Sequence, residues 1–424
     1  MKKISSILFI LLISIASMAQ KPSKPQSKKI IIKNATIHVG NTSVIEKGVV
    51  VFENGVITYV GNAEQSESGA EVIDASGKHV YPGLIAPYTK IGLEEIEAVR
   101  ATLDYAEVGN LNPNVRSIIA YNTDSKIIPT IRSNGVLTAL IVPQGGSIPG
   151  TSSLVKLDGW NWEDAVYKTD LAVHMNWPRM RVFNAWWAPA PEEQRKNSER
   201  AMAELKKFFD EAKAYCSVAN PTEKNLKFEA MRDVFNGKKK LIIAVGSAKE
   251  ITASVNFSKS YGITPILAGA NDAYVALDFI KEQGVSLIVE QPHALPDRED
   301  EDVDMPYKRA AILKEKGIPF CLAIDGSWQQ RNLPFMAGTA AAYGLSKEEA
   351  LKAVTLDAAV ILGVANSLGS IEKGKDATLL ISDGDLLDMR SSNVVRAFIK
   401  GAEIDLDNKH KELHRLYSEK YGIK

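Results

Sequence analysis

The sequence predicts an α/β fold: a parallel sheet covered by helices on both faces, inserted into a composite β-sandwich made from both chain ends. Three observations predict it. Short β segments bounded by turn residues open and close the chain. Between them, continuous apolar runs alternate with helical patterns, as in a sheet buried on both faces. Neither terminal β group can bury both of its faces alone, so the economical arrangement joins them in one sandwich.

The chain opens with Lys2 and Lys3, an apolar run over 7–15, and Ser17-Met18-Ala19 before Gln20. That order of basic, apolar and small residues predicts a signal peptide over 1–19, and hence a periplasmic or secreted protein with no membrane association after cleavage. The apolar core is too short for a stable span. No Cys follows the cleavage site, so a lipid anchor is not expected. A Lys/Pro/Ser tether over 20–28 is predicted to be disordered. β segments follow at 30–32, 49–52, 56–60 and 72–73, with Glu53-Asn54-Gly55 as a turn. From Pro82 the pattern changes. Strands are predicted at 136–142, 241–245, 265–267, 286–289 and 319–324. Helices are predicted at 200–215, 226–235, 251–261, 273–283, 307–316 and 347–362. Ser346 and Glu349 form an S-x-x-E capping box at the start of the last. β character returns at 377–381 and 394–399, and a polar helix closes the chain at 408–424. The domains expected are therefore 29–81 with 364–407, and 82–363 between them.

Charge argues against one class of partner. Lys plus Arg and Asp plus Glu both number 51, so no global field favours nucleic acid. The two cysteines, Cys216 and Cys321, define neither a disulfide framework nor a zinc knuckle, and free thiols are expected. There is no Walker loop, G-x-G-x-x-G or G-x-S-x-G. Ser153 and Lys156 match S-x-x-K, but in a β-like stretch where the match carries nothing.

The segment YPGLIAPYTKIG, from Tyr81 to Gly92, resembles the first barrel strand of the amidohydrolase superfamily, which reads P-G-L-I-D-x-H-x-H-x-G. GVVVFENGVITYVG (48–61) resembles its entry hairpin, and NLPFMAGTAAAYGLSKEEALKAVT (332–355) the helix pair after barrel strand eight. GSIEKGKDATLLI (369–381) resembles its return strand. The likeness spans nearly the whole chain beyond the leader, and is to imidazolonepropionase-like metal-dependent hydrolases. It implies a (β/α)8 TIM barrel inserted in the composite sandwich.

The resemblance also implies a site. In the family, barrel strands deliver His-x-His, a Lys or Glu, two further His and an Asp to zinc or another divalent metal, which activates a water. Residues two apart in a strand point the same way, so both imidazoles of His-x-His face the barrel mouth. In this chain Tyr88 and Lys90 occupy those two positions, Gly246 the strand-five position, and Gly269 and Ala270 the strand-six position. Asp325 matches the strand-eight Asp and is the one retained catalytic candidate. No metal and no other cofactor is therefore predicted, and Lys90 is expected to approach Asp325 as a substitute charge.

The remaining histidines and aromatics leave alternatives open. His293, in VEQPHALP after strand seven, joins Glu290 or Asp325 in a rebuilt site or is a loop His bonded to backbone. His174 lies in a loop-rich segment. His410 and His414 share one face of a polar helix, as ligands or as a solvated face. The acidic run 297–304 is a calcium loop or a solvated one. Trp160, Trp162, Tyr167, Trp177, Trp186 and Trp187 line a ligand funnel or form a small core of their own. Two functions follow. The first is a non-catalytic pseudoenzyme that binds a small-molecule ligand or pairs with an active amidohydrolase relative. The second is a hydrolase of non-peptide carbon–nitrogen bonds with a remodelled site.

Overall fold

The computed structural model describes residues 21–66 and 68–423, so the predicted signal peptide lies outside the described residues. The first five strands are β1 (Ile30–His38), β2 (Val44–Glu53), β3 (Val56–Gly61), β4 (Glu71–Asp74) and β5 (His79–Pro82). At the far end come β14 (Leu379–Ser382), β15 (Val394–Ile399) and β16 (Ala402–Glu403). All eight belong to one sheet, ordered β16-β15-β14-β5-β1-β2-β3, with β4 also on β1. The two chain ends meet where β14 runs antiparallel to β5, pairing Leu379 with Pro82 and Ile381 with Val80. The hydrogen bonding thus makes one continuous sheet where two sandwiched sheets were expected. Its buried residues, among them Ile32, Ile37, Phe52, Leu379 and Phe398, gather in one core.

The central strands are β6 (Leu84–Thr89), β7 (Val136–Ile141), β8 (Gly150–Lys156), β9 (Val166–Asn176), β10 (Lys240–Val245), β11 (Ile266–Gly269), β12 (Ser286–Glu290) and β13 (Phe320–Ala323). They form a second eight-stranded sheet in simple sequence order, and β13 returns to contact β6, making a nearly closed barrel. It is not wholly parallel. β8 is antiparallel to both β7 and β9. The links 142–149 and 157–165 explain this, because a parallel crossover needs about a dozen residues or more. The lumen is packed, not hollow: Ile85, Leu140, Ile242, Ile288 and Cys321 share one core. Both cysteines are free, Cys321 fully buried and Cys216 partly so.

Helices cover the barrel: α1 (Ile127–Arg132), α2 (Pro191–Cys216), α3 (Leu226–Phe235), α4 (Ala248–Ser260), α5 (Leu277–Glu282), α6 (Met305–Lys316), α7 (Leu333–Ala342), α8 (Lys347–Ala353) and α9 (Leu356–Leu362), before the C-terminal α10 (Lys409–Tyr421). The capping box at Ser346 and Glu349 is formed. The single helix predicted over 347–362 is two, broken at Thr355, whose φ of −133° and ψ of −92° are not helical. The break lets α9 place Ala358, Ala359 and Leu362 in the lumen core, near the strand starts, where Ile85 N–H donates to the Val354 carbonyl at 3.0 Å.

Residues 21–28 are an ordered strap, contrary to the disordered tether expected. Ser23 N–H donates to Asp158 at 3.1 Å. The Gln26 amide donates to the Phe52 carbonyl at 3.0 Å and accepts from Gly55 N–H at 2.8 Å. Those bonds satisfy backbone groups that the β2–β3 turn leaves open.

One packing constraint here opposes local propensity. A Cβ at Gly338 in α7 would lie 2.1 Å from the Leu387 carbonyl oxygen. Gly338→Ala should therefore destabilise the protein by about 1–3 kcal/mol despite alanine's better helix propensity. Chemical denaturation checks this, and a stabilised variant would show that the Leu387 loop yields freely.

Candidate active site at the barrel mouth

Alternation along the strands decides what meets at the C-terminal end of the barrel. Ala172, Ile288 and Ala323 belong to the lumen core, so His174, Glu290 and Asp325, each two residues further on, continue on the inward side. Tyr88 packs against the same core, and Lys90 follows it by two. Glu290 is in register with Ala323, which sets the ends of β12 and β13 side by side. Asp325 is exposed just past β13 and accepts from Gly326 N–H at 2.7 Å.

Tyr88 reaches across the lumen. Its ring lies 5.6 Å from that of His174 on β9. Burial and then the charge of Glu290 hold the phenol above its ordinary value, so it remains protonated. His174 is 2% exposed and sits in a strand, not in the loop expected. Its Nε2 is 2.7 Å from the Ser152 hydroxyl on antiparallel β8. Its Nδ1 has no hydrogen-bond partner among the described residues. Burial depresses its pKa to about 3, so the imidazole is neutral.

Lys90 is ion-paired with Glu94 at 2.8 Å, and its ammonium lies 5.0 Å from the Tyr105 ring centre. This corrects the pairing expected with Asp325. The turn after β6, closed by Leu93 N–H on the Lys90 carbonyl at 2.9 Å, folds Glu94 back onto Lys90. Burial pulls the Lys90 pKa down. The hydrogen bond and charge of Glu94, with Asp325 and Tyr105 behind them, outweigh it and hold the pKa above the ordinary lysine value. Sequence reasoning missed Glu94, although its i,i+4 spacing from Lys90 was a signal.

Glu290 carries the perturbed carboxyl. Burial first, then the charge of Asp325, pushes its pKa up to about 7. At neutral pH it is poised between acid and base beside a second carboxylate and a buried phenol.

Gly246 opens onto a cleft of about 760 Å³ shared with the loop after β9. A Cβ there would meet only Glu250, at an ordinary 3.5 Å. Gly269 differs. Its φ of +82° disfavours any side chain, and a Cβ would lie 2.8 Å from the Val245 carbonyl oxygen. The donors at this end therefore do not fit a divalent ion. Lys90 brings positive charge, Gly246 brings no ligand atom, and the backbone at Gly269 admits none. Among the described residues, no group of three or more His, Cys, Asp or Glu is arranged to hold a metal.

Other candidates lie elsewhere. His293 is exposed and hydrogen-bonds Thr339 of α7, with the Tyr307 ring 5.8 Å away, and makes no bond to Glu290 or Asp325 among the described residues. His410 lies beside Trp328, and neither His410 nor His414 is buried. In the acidic run, Arg298 pairs with Asp300 at 2.9 Å and Lys308 with Asp304 at 2.7 Å. The aromatics do not form one funnel. Trp177 packs on Phe257, Tyr167 bonds Asp376 at 2.6 Å, and Trp160 and Trp186 are exposed.

The sequence profile described as the Amidohydrolase family matches residues 188–404, over half of the chain. The chain belongs to the amidohydrolase family. It is 24% identical over 377 residues to the imidazolonepropionase of Clostridium tetani, a match covering 81% of this chain and 86% of that amidohydrolase relative. A 56% identical match to the imidazolonepropionase of Bacillus cereus covers 50 residues, which are 11% of this chain and 12% of that protein. Among solved structures, an amidohydrolase from Thermotoga maritima superimposes with a TM-score of 0.79 at 23% identity, covering 89% of this chain and 99% of the other. A prolidase complexed with n-methylphosphonate-l-proline has a TM-score of 0.55 at 15% identity over 89% of this chain and 99% of that one. At these identities the structural likeness is one of fold.

Two predictions follow from this geometry. Gly246→Ala should cost less than about 1 kcal/mol, whereas Gly269→Ala should cost about 2 kcal/mol or more. Paired denaturation curves test this, and equal costs would mean that the β11 end relaxes to admit a side chain. The second concerns pH. A carboxyl whose folded pKa is raised destabilises the fold as pH climbs from its ordinary value of 4.5 to about 7. Glu290→Gln should lose that penalty, gaining up to about 1.4 kcal/mol per pH unit over the wild type in that window and no more above it. Melting temperatures that run parallel across pH would refute the assignment.

Proposed function

We propose that this amidohydrolase-family protein binds a small ligand at the C-terminal face of its barrel and has lost metal-dependent hydrolysis. The carrying observation is the Lys90–Glu94 ion pair at 2.8 Å, which puts a fixed ammonium where the family pattern has its second histidine. A divalent ion and an ammonium cannot share that place without strong repulsion. Gly269 supports the same reading, since its backbone has no room for a ligand side chain. The N-terminal pattern over 1–19 supports export of the chain from the cytoplasm.

A second reading, hydrolysis of a non-peptide carbon–nitrogen bond without metal, is favoured by one observation. Glu290, with its pKa near neutrality beside Asp325, has the property required of a general acid or base. The similarity to proteins named imidazolonepropionase points the same way.

Metal analysis of the purified protein, with assays on N-acyl amino acids and cyclic amides, separates the two. The binding reading expects far less than one equivalent of zinc per chain and no turnover with or without added metal. One tightly held equivalent, lost together with turnover in Asp325→Asn, would overturn it. Metal-free turnover abolished by Glu290→Gln would establish the second reading instead. Lys90→Met should lower stability by about 3 kcal/mol, the low end for a buried pair because Lys90 is partly exposed.

A further inference from the structure

The cleft beside Gly246 is lined by four carboxylates and two guanidinium groups, which differ in how they are engaged. Its acids are largely committed within the protein. Glu250, 6% exposed, accepts backbone N–H groups from Gly246 at 2.9 Å, Ser247 at 3.0 Å and Met180 at 2.8 Å. The N-terminus of α4 is thereby satisfied from within and offers no site of its own. Asp272 accepts from Ala248 N–H at 3.2 Å and faces Arg298 at 3.7 Å. Asp297 accepts from the Asn271 amide at 2.6 Å.

Its cations are not committed. Arg179 and Arg181 both line the cleft, and neither has a carboxylate partner among the described residues. Arg181 donates to the backbone carbonyl of Asp297 at 3.2 Å. Arg179 lies over the Phe183 ring at 5.1 Å, which holds its guanidinium at the cleft wall. Between them sits Met180, whose backbone is clamped by the buried Glu250. The stretch carrying both guanidinium groups is therefore anchored to the end of the barrel, while no carboxylate among the described residues forms an ion pair with either. Phe183 also lines the cleft and adds an apolar surface beside them, with Trp187 at 5.3 Å behind it.

We propose that this cleft is an anion site that takes a small organic carboxylate bearing an apolar group, with Arg179 and Arg181 on the carboxylate and Phe183 on the apolar part. Guanidinium groups suit a carboxylate because their planar donors match its two oxygens. The inference rests on reading this end of the barrel as a ligand site and names the chemical class that the site accepts. It does not depend on Lys90, Glu290 or Asp325.

Titration calorimetry with N-benzoylglycine and its neutral primary amide tests it, with tryptophan fluorescence as a second readout from Trp187. The acid should bind at least about tenfold more tightly than the amide, the size of one charge-assisted hydrogen bond. The Arg179→Gln/Arg181→Gln double variant should lose that difference and keep its melting temperature, because both side chains are exposed. Glu299→Gln removes a lining acid with no partner among the described residues and should not weaken binding of the acid. No binding of N-benzoylglycine at about 10 mM, equal binding of acid and amide, or undiminished binding by the double variant would overturn the anion site. Metal content and the melting temperature of Lys90→Met do not involve this cleft. A failed titration therefore removes the anion site alone, and bound zinc removes the metal-independent reading alone.

Discussion

Side-chain alternation in a nearly closed sheet is the constraint on which this molecule depends. Each barrel strand must send every second residue into a lumen too narrow for water and bulk side chains together. Below the mouth the solution is apolar, with Ile85, Ile242 and Ile288 in contact. At the mouth the same alternation brings Tyr88, Lys90, Glu290 and Asp325 to one end, although up to 237 residues of chain separate them. The two-ended sheet follows from a related need. β5 leads directly into β6, and β14 pairs with β5, so the segment that enters the barrel is held by the segment that leaves it.

Electrostatics at the mouth are settled by proximity within a small polar layer. Lys90 retains its proton because Glu94, 7% exposed, is folded against it. Glu290 has no ion-pair partner among the described residues, and burial first, then the charge of Asp325, holds its proton to about neutral pH. His174, one layer deeper, bonds the Ser152 hydroxyl and faces the Tyr88 ring, and burial keeps it neutral. Three titratable groups within one barrel end thus respond to the same low-dielectric setting in three ways, according to the partner each has.

The β10–β11 side of the mouth is organised by a different group. Glu250 joins the end of β10, the start of α4 and the loop after β9 through one buried carboxylate. This side has Gly246 and Gly269 at the strand ends, and the cleft beside Gly246 is bordered by arginines. The polar layer around Lys90 and the arginine-lined cleft are therefore separate surfaces of one barrel face, built by separate anchors.

Much of the barrel was legible from residue order. Apolar runs at 241–245, 286–289 and 319–324 became strands because such runs are stable only when buried on both faces. Tyr88 and Lys90 were placed by the likeness of 81–92 to the family's first barrel strand, and the pairing of the two chain ends by the need to cover open β faces. The antiparallel β8 was not read out, since apolar content does not encode strand direction. Nor was His174, because Lys168, Thr169 and Asp170 interrupt the apolar signal of β9. Which acid holds Lys90, how far Glu290 is raised, and whether Gly269 could bear a side chain were decided by tertiary structure alone. Each depends on the distance and dielectric between atoms brought together by the fold, and those quantities are not properties of any one stretch of chain.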